Sequence, residues 1–264
     1  NSLMNNFSFV FQTVYLFADT IENNIKFGRQ DATHEEVVAA AKKACCHEFI
    51  SQLPNGYDTV IGEGGSSLSG GQKQRISIAR AIMKDAPVVI LDEATANVDP
   101  ENEKDLMDAI EALTKELMPL TDLITPNLDE AIVLTGKKIQ NLEEMEIASK
   151  ELLAFGSKAV LVKGGHLSGE NMYDVLQLKD REKPYIFTGQ HVESKNVHGT
   201  GCTLSSSIAT FLAYGLDMPE AVSKAKEYVA NAIDAGKDIM IGHGNGPLNH
   251  FYNPTKMHII QTNE

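Results

Sequence analysis

The first apolar run, Phe7-Ser8-Phe9-Val10-Phe11, alternates with the period of a β-strand. Thr33-His34-Glu35-Glu36 then opens an amphipathic pattern that predicts a helix to about Leu53, with Thr33 as N-cap and Glu36 reaching back to it. A glycine-rich loop, Gly62 to Gly71, feeds a helix predicted to about Lys84. Val88 to Leu91 is a short apolar run bounded by Pro87 and Asp92, the pattern of a buried strand. Asp99-Pro100 starts another helix, with proline at its first position, predicted to end at about Glu116.

Beyond that point strands and helices come in pairs. Leu123 to Thr125 reads as a strand and a helix follows from Asn127; a second helix, Glu143 to Phe155, leads to a strand at Ala159 to Val162. Two further strands, Tyr173 to Leu178 and Tyr185 to Val192, precede a glycine-rich turn at His198 to Gly201, and helices from Cys202 to Tyr214 and Pro219 to Asp238 follow. This alternation predicts an α/β fold with parallel, doubly covered sheet in both parts of the chain. No internal repeat and no low-complexity linker interrupts it.

Charge narrows the function classes. The 264 residues carry 23 Lys+Arg against 36 Asp+Glu, a formal charge of −13, whereas nucleic-acid backbones are held by a surplus of Lys and Arg; no nucleic-acid partner is expected. Cys45 and Cys46 are adjacent and Cys202 is distant, which supports neither a disulfide framework nor a four-cysteine zinc site and suits a reducing cytoplasm. The apolar stretch Cys202 to Leu216 is interrupted by Ser205, Ser206 and Ser207 and falls short of the roughly 20 residues of a membrane span, so no integral membrane segment is expected. The opening residues lack the order of a signal peptide.

The first chemical constellation is Leu68-Ser69-Gly70-Gly71-Gln72 ahead of a helix, followed by Val88-Val89-Ile90-Leu91-Asp92-Glu93. Glycines let backbone amides approach phosphate oxygens, and a helix N-terminus adds favourable partial charge. An aspartate at a strand end can hold Mg²⁺ through water while the adjacent glutamate orients or deprotonates an attacking water. Taken singly, Ser69 and Gln72 read equally as a capping box, and Asp92 and Glu93 as a solvated strand end. Together they resemble the nucleotide-binding domain of ABC transporters over about residues 4 to 116, with exporter-type wording in YLFADTIENNI and LPNGYDTVIGEGG. The resemblance implies that Leu68 to Gln72 is the signature, Val88 to Asp92 the Walker B strand, Glu93 the catalytic glutamate, Ala96-Asn97-Val98-Asp99 the D-loop and Gln12 the Q-loop glutamine. The pattern G-x-x-x-x-G-K-[ST] does not occur, since Lys73, Lys137 and Lys237 all lack its spacing, and the family's His switch is also missing. Because that family sandwiches ATP between the signature of one domain and the P-loop of another, this part is expected to serve only the ATP of an ABC-type dimer partner, peripherally associated with a transporter membrane domain.

The second constellation begins after Leu117. Asn127-Leu128-Asp129-Glu130 follows a predicted strand, Val162-Lys163-Gly164-Gly165-His166 ends another, and His198-Gly199-Thr200-Gly201-Cys202 opens a helix. Amides of Gly199 to Cys202 at a helix N-terminus would form an anion hole for a transferring phosphoryl group, and a thiol there would have a lowered pKa and could act as base. The plainer alternatives are a capping box for Asn127 and Glu130, an ordinary turn for Gly199 and Gly201, and a small packed residue for Cys202. His166, His198, His243 and His250 lack the pairing of a metal site and read as loop residues. In LITPNLDEA, VLVKGGH, HGTGCTLSSSIA and GHGNGPLNHF the segment from Leu117 to about Phe251 resembles the C-terminal half of hydroxymethylpyrimidine/phosphomethylpyrimidine kinases, the thiamine-pathway branch of the ribokinase-like superfamily. That resemblance implies that Asn127 and Glu130 belong to a Mg²⁺ and phosphate network, with Glu130 reaching the metal through water. It implies further that Lys163 lies near the nucleotide phosphates, that Gly199, Thr200 and Gly201 form the anion hole, and that Cys202 is the base toward the hydroxymethyl group.

The expected organisation is a partial ABC-type nucleotide-binding lobe at residues 1–116 followed by a partial ribokinase-like α/β lobe at residues 117–264. The leading functional expectation is ATP- and Mg²⁺-dependent phosphorylation of hydroxymethylpyrimidine or its phosphate, the acceptor binding only if an N-terminal kinase half is supplied. The alternatives are an exporter ATPase subunit and a chimeric chain with no native activity.

Overall fold

The structure is a computed structural model that describes residues 7–10, 14–86, 88–91, 110–165, 171–190, 192–240 and 243–254. The chain divides into two compact units, 1–189 and 190–264. In the first, β1 (Phe7–Val10) pairs in parallel with β2 (Val88–Leu91), Phe7 opposite Val88 and Val10 opposite Leu91. Between them lie α1 (Ile21–Lys26), α2 (His34–Lys43), α3 (His47–Gln52) and α4 (Gly70–Lys84). Thr33 caps α2 as its sequence predicts: its hydroxyl accepts from Glu36 N while Thr33 N donates to Glu36 Oε2 at 2.8 Å. The single helix expected to Leu53 is in fact two. Cys45 takes a left-handed conformation with φ +52, Cys46 N donates to Ala41 O at 2.9 Å and Cys45 N to Lys42 O at 3.1 Å, which closes the last carbonyls of α2 in a Schellman turn without a glycine. The buried Cys46 thiol also donates to Ala41 O, and burial pushes its pKa up to about 12.

Ile21 and Ile25 of α1, Val37 and Ala41 of α2, and Ile76 and Ala79 of α4 build the core of this segment. One polar knot fixes how it is entered. Asn24 is buried; its Oδ1 accepts from Phe17 N at 2.9 Å and from Arg80 Nη2 at 3.1 Å, and its Nδ2 donates to Phe17 O and Thr20 O, each at 3.0 Å. Arg80 donates further to Asn24 O at 2.9 Å and Tyr15 O at 3.3 Å, with its guanidinium carbon 5.7 Å from the Phe17 ring centroid and 5.5 Å from that of Phe27. Desolvation lowers its pKa to about 10, which still leaves it charged at neutral pH. A Cβ on Gly28 would lie 2.4 Å from Arg80 O, so the chain leaving α1 packs directly on the backbone of α4.

The chain then winds as a π-helix, α5 (Ala112–Leu117), whose Ala112, Leu113 and Leu117 join the same core as α4. A second hydrophobic cluster starts at the next residue, Met118, and contains Ile124, Leu128, Ala131, Met145, Leu152, Val160, Val162 and Val175. It sits beneath an open sheet of order β3-β4-β5-β6, formed by β3 (Leu123–Ile124), β4 (Ala159–Lys163), β5 (Asn171–Leu178) and β6 (Tyr185–Gln190), with α6 (Leu128–Thr135) and α7 (Leu142–Leu153) as its helices. Among the described residues β1 and β2 form a sheet of their own. β3 and β4 are parallel, but β4 and β5 are antiparallel, which corrects the all-parallel expectation. Lys163 and Asn171 are too close in sequence for the crossover of a dozen or more residues that a parallel return needs.

The second unit contains α8 (Thr200–Ala213) packed on α9 (Met218–Gly236), the latter opened by the Asp217 cap and Pro219. The buried amide of Asn196 ties its ends: Nδ2 donates to Gly236 O and Ile239 O, both at 2.6 Å. Among the described residues no helix is long and apolar enough to cross a membrane.

Replacing Asn24 by Ala orphans Phe17 N–H, removes the side-chain acceptor of Arg80 Nη2 and withdraws the donor to Phe17 O and Thr20 O, and should cost about 3 kcal/mol in urea unfolding followed by far-UV circular dichroism. A loss below about 0.5 kcal/mol, the range of ordinary surface changes, would remove the knot from its assigned role. The α2 cap gives a pH signature. Thr33 N–H and then the Arg29 guanidinium hold the Glu36 carboxylate below its ordinary pKa, so its stabilisation is present above the usual carboxylate range and is lost as pH falls through the depressed value. The stability gap between wild type and Glu36→Gln should therefore shrink on acidification; a gap independent of pH would contradict this.

Candidate functional site

At the start of α4, Ser69 Oγ accepts from Gln72 N and Gln72 Oε1 accepts from Ser69 N, both at 3.1 Å. Of the two readings open in the sequence, these side chains make the capping box; the turn nevertheless presents Ser69 and Gly70 at the surface, with Gly71 buried behind them. Approach to the turn is made by Gly64 and Gly65 at φ +66 and +67. Gln12, Asp92, Glu93 and the segment Ala96 to Asp99 lie outside the described residues, although the β1–β2 register sets Val10 beside Leu91 just before the first of them.

Asn127, Glu130 and Lys163 are brought together. Asn127 Oδ1 accepts from Glu130 N at 2.8 Å and Asn127 N donates to Glu130 Oε2 at 2.7 Å, so this pair too is a capping box, at the start of α6. Lys163 N donates to Pro126 O at 2.9 Å, and a parallel bridge between Asn127 and Lys163 continues the β3–β4 ladder. The three residues thus sit at the carboxyl ends of two parallel strands and at a helix N-terminus, the place where open α/β sheets bind ligands. The turn after Lys163 is specified tightly: a Cβ on Gly164 would lie 2.2 Å from Tyr173 O, and Gly164 N donates to the buried Asp174 carboxylate at 2.9 Å. Asp174 was not singled out from sequence, although a lone acid inside the apolar run Tyr173 to Leu176 was the available signal. His166 lies outside the described residues.

As for metal, no group of three His, Cys, Asp or Glu converges among the described residues. Glu130, whose Oε2 is engaged in the cap, is the carboxylate that would hold Mg²⁺ through water beside the nucleotide phosphates, the usual mode for that ion.

In the second unit α8 begins differently from every other described helix of eight or more residues. α2, α4, α6, α7 and α9 each carry a side-chain cap, whereas the N-cap of α8 is Gly199 at φ +84, ψ +7, with none. Thr200 N donates to Val197 O at 3.3 Å, Thr200 Oγ1 donates to the same oxygen, and Thr203 N donates to Gly199 O at 2.9 Å. Gly199 is exposed, and Thr200, Gly201 and Cys202 are half-buried on the first turn. Such an end, with backbone amides and the positive end of the helix dipole unscreened by a capping oxygen, suits an anion. His198 N donates to Gly246 O at 3.2 Å, and a Cβ on Gly246 would lie 2.0 Å from Asn196 Oδ1. The segment Gly244 to Leu248 is therefore part of the support of this turn. Asn196 and Gly246 were missed as a pair, because their partners lie some 40 to 50 residues apart in sequence.

The model of the phosphomethylpyrimidine kinase family matches residues 73–249. The chain belongs to that family. A model of the ABC transporter family matches residues 1–96. Pyridoxal kinase of Bacillus subtilis, solved as an ADP complex, is 27% identical with a TM-score of 0.58, covering 76% of this chain and 74% of its own. Pyridoxal kinase of Staphylococcus aureus in complex with AMP-PCP is 29% identical with a TM-score of 0.58, covering 73% and 68%. The ATP-dependent lipid A-core flippase of Desulfotalea psychrophila is 55% identical over 113 residues, 43% of this chain, and this kinase-family chain spans only 20% of the flippase. Mixed α/β architecture with a kinase-like open sheet and an ABC-like N-terminal segment is what the sequence led one to expect.

Gly199→Ala should cost about 1–2 kcal/mol, because the left-handed conformation rather than lack of space excludes a side chain there. Gly189→Ala, at an unstrained and uncrowded position, should stay within about 0.5 kcal/mol in the same urea titration. Equal effects at the two positions would contradict the conformational argument.

Proposed function

We propose that the chain supports ATP-dependent phosphoryl transfer to hydroxymethylpyrimidine or its phosphate, the chemistry of thiamine biosynthesis, with residues 117–264 carrying the kinase-like part and residues 1–116 the ABC-like part. The observation that carries the reading is the uncapped, left-handed Gly199 turn opening α8 inside the segment matched by the kinase family. In this reading the Gly199 to Gly201 amides hold the transferring phosphoryl group, and Asn127, Glu130 and Lys163 serve the nucleotide phosphates. ATP with Mg²⁺ supplies the phosphoryl group and neutralises its developing charge. Cys202 Sγ takes the proton of the acceptor hydroxymethyl group as its oxygen attacks. Ribokinase-like folds bind the acceptor mainly through their N-terminal half, and here the residues before Lys73 match a different family. Positioning of the acceptor is therefore deficient, and loss of positioning removes on the order of 7–11 kcal/mol of catalysis. The chain alone binds nucleotide and transfers little.

The second reading, an exporter ATPase subunit, is favoured by the flippase identity and the signature turn. It makes the chain a contributor to a partner's ATP site, with Gln12, Asp92 and Glu93 in their family roles, and without hydrolysis of its own because no P-loop pattern occurs in the sequence.

Calorimetric titration with AMP-PCP and Mg²⁺ should show weak binding. Hydroxymethylpyrimidine phosphorylation should be absent from the chain alone, emerge when a separately expressed N-terminal kinase half is added, and vanish with Cys202→Ala. Robust Cys202-dependent product without the added half would refute the incomplete-site reading, and ATP turnover abolished by Glu93→Gln would refute the claim that the ABC-like part is inactive by itself.

A further inference from the structure

We infer that α4, β2 and α5 form a unit shared by both folds: they complete the ABC-like core and also supply the helix–strand–helix layer that precedes β3 in the kinase-like part, which therefore depends on residues from Lys73 onward. Two comparisons point there. The kinase family model begins at Lys73, and residues 73–96 are matched by both families. The B. subtilis kinase alignment covers 76% of the chain, whereas residues 117–264 are little more than half of it, so part of the ABC-like segment superimposes on kinase structure.

The packing supplies the physical link. Leu113 and Leu117 of α5 are buried in one cluster with Ile76, Ile78 and Met83 of α4, and the next residue, Met118, is buried in the cluster beneath β3 and β4. Between them is only the tight turn Met118–Leu120. That turn is gripped from the kinase-like side: Lys158 N donates to Thr121 O at 3.2 Å, and a Cβ on Gly156 would lie 3.1 Å from Pro119. Ala81 and Ile82 at the end of α4 face Leu117, Leu120 and Asp122 across a cavity of about 240 Å³. A turn this short, continuous with α5, which packs on α4, and hydrogen-bonded to the residue before β4, transmits a loss of packing from one cluster to the other. Among the described residues α1 and α2 pack on α4, and α3 on α2. The inference rests on the kinase-family membership and not on catalysis, so its test requires no activity.

The test is amide hydrogen exchange of the full chain, read in α2, α4 and β4. Leu113→Ala should accelerate exchange in α4 and in β4 together by about a hundredfold, the effect of a buried leucine truncation. Val37→Ala, a buried truncation in α2, should accelerate α2 at least about tenfold more than β4. If Leu113→Ala fails to fold, Leu113→Val gives the same ordering with smaller factors. Unchanged β4 exchange in the Leu113 variants would show that the kinase-like part does not use α4 and that the overlap of the two family matches reflects a generic helix–strand pattern. Equal acceleration of β4 by the Val37 and Leu113 variants would show that residues 1–189 open as a whole, and would equally overturn the shared unit.

Discussion

The first turn of a helix leaves backbone amides with no acceptor inside the helix, and how each is satisfied fixes how this chain enters its helices. At α2, α4 and α6 the answer is the reciprocal capping box, with Thr33 and Glu36, Ser69 and Gln72, Asn127 and Glu130 in identical roles. At two of these three the capping side chains are the ones that family resemblance assigns to nucleotide recognition. There is no conflict in this. A box fixes the entry angle of the chain and engages two amides, which sets Gly70, Gly71 and Glu130 in a rigid frame. At α8 a left-handed glycine takes the place of the box, and no side chain caps the helix.

The capping boxes were legible because they are local: a hydroxyl or amide followed three residues later by Glu or Gln is enough to fix them. The helices around Gly70, Leu142, Thr200 and Met218 were legible for the same reason. The break at Cys45 was not, since the Schellman turn there uses a cysteine in a conformation that usually signals itself by glycine or asparagine. The direction of β5 was not, because apolar alternation is the same for a strand run either way, and only the brevity of the Lys163 to Asn171 connection held the information. Least legible were Asn24 with Arg80, Asn196 with Gly246, and Gly164 with Asp174. In the first two pairs the partners are some 50 residues apart or more, and neither member betrays the other in a single sequence. The third joins neighbouring strands, which sequence spacing alone does not reveal.

Two hydrophobic clusters part between Leu117 and Met118, and at that point the backbone adopts a π-helix, a form with poorer packing than the α-helix and rare outside local adjustments. A helix widened by one residue per turn shifts which side chains face inward. Here Leu113 and Leu117, four residues apart and on one face, pack in the α4 core while the next residue belongs to the other cluster. The seam costs some regular hydrogen bonding and gains a change of direction within one residue.

The neighbouring cysteines of the α2–α3 turn differ in surroundings although they adjoin in sequence. Cys46 is fully enclosed and held as the neutral thiol, whereas Cys45 is partly accessible. An alkylating reagent of moderate size would therefore meet the two at unlike rates, the inner one governed by how often the surrounding helices part rather than by its own reactivity. The chain carries its own clock for the breathing of that core, readable by mass without any introduced label.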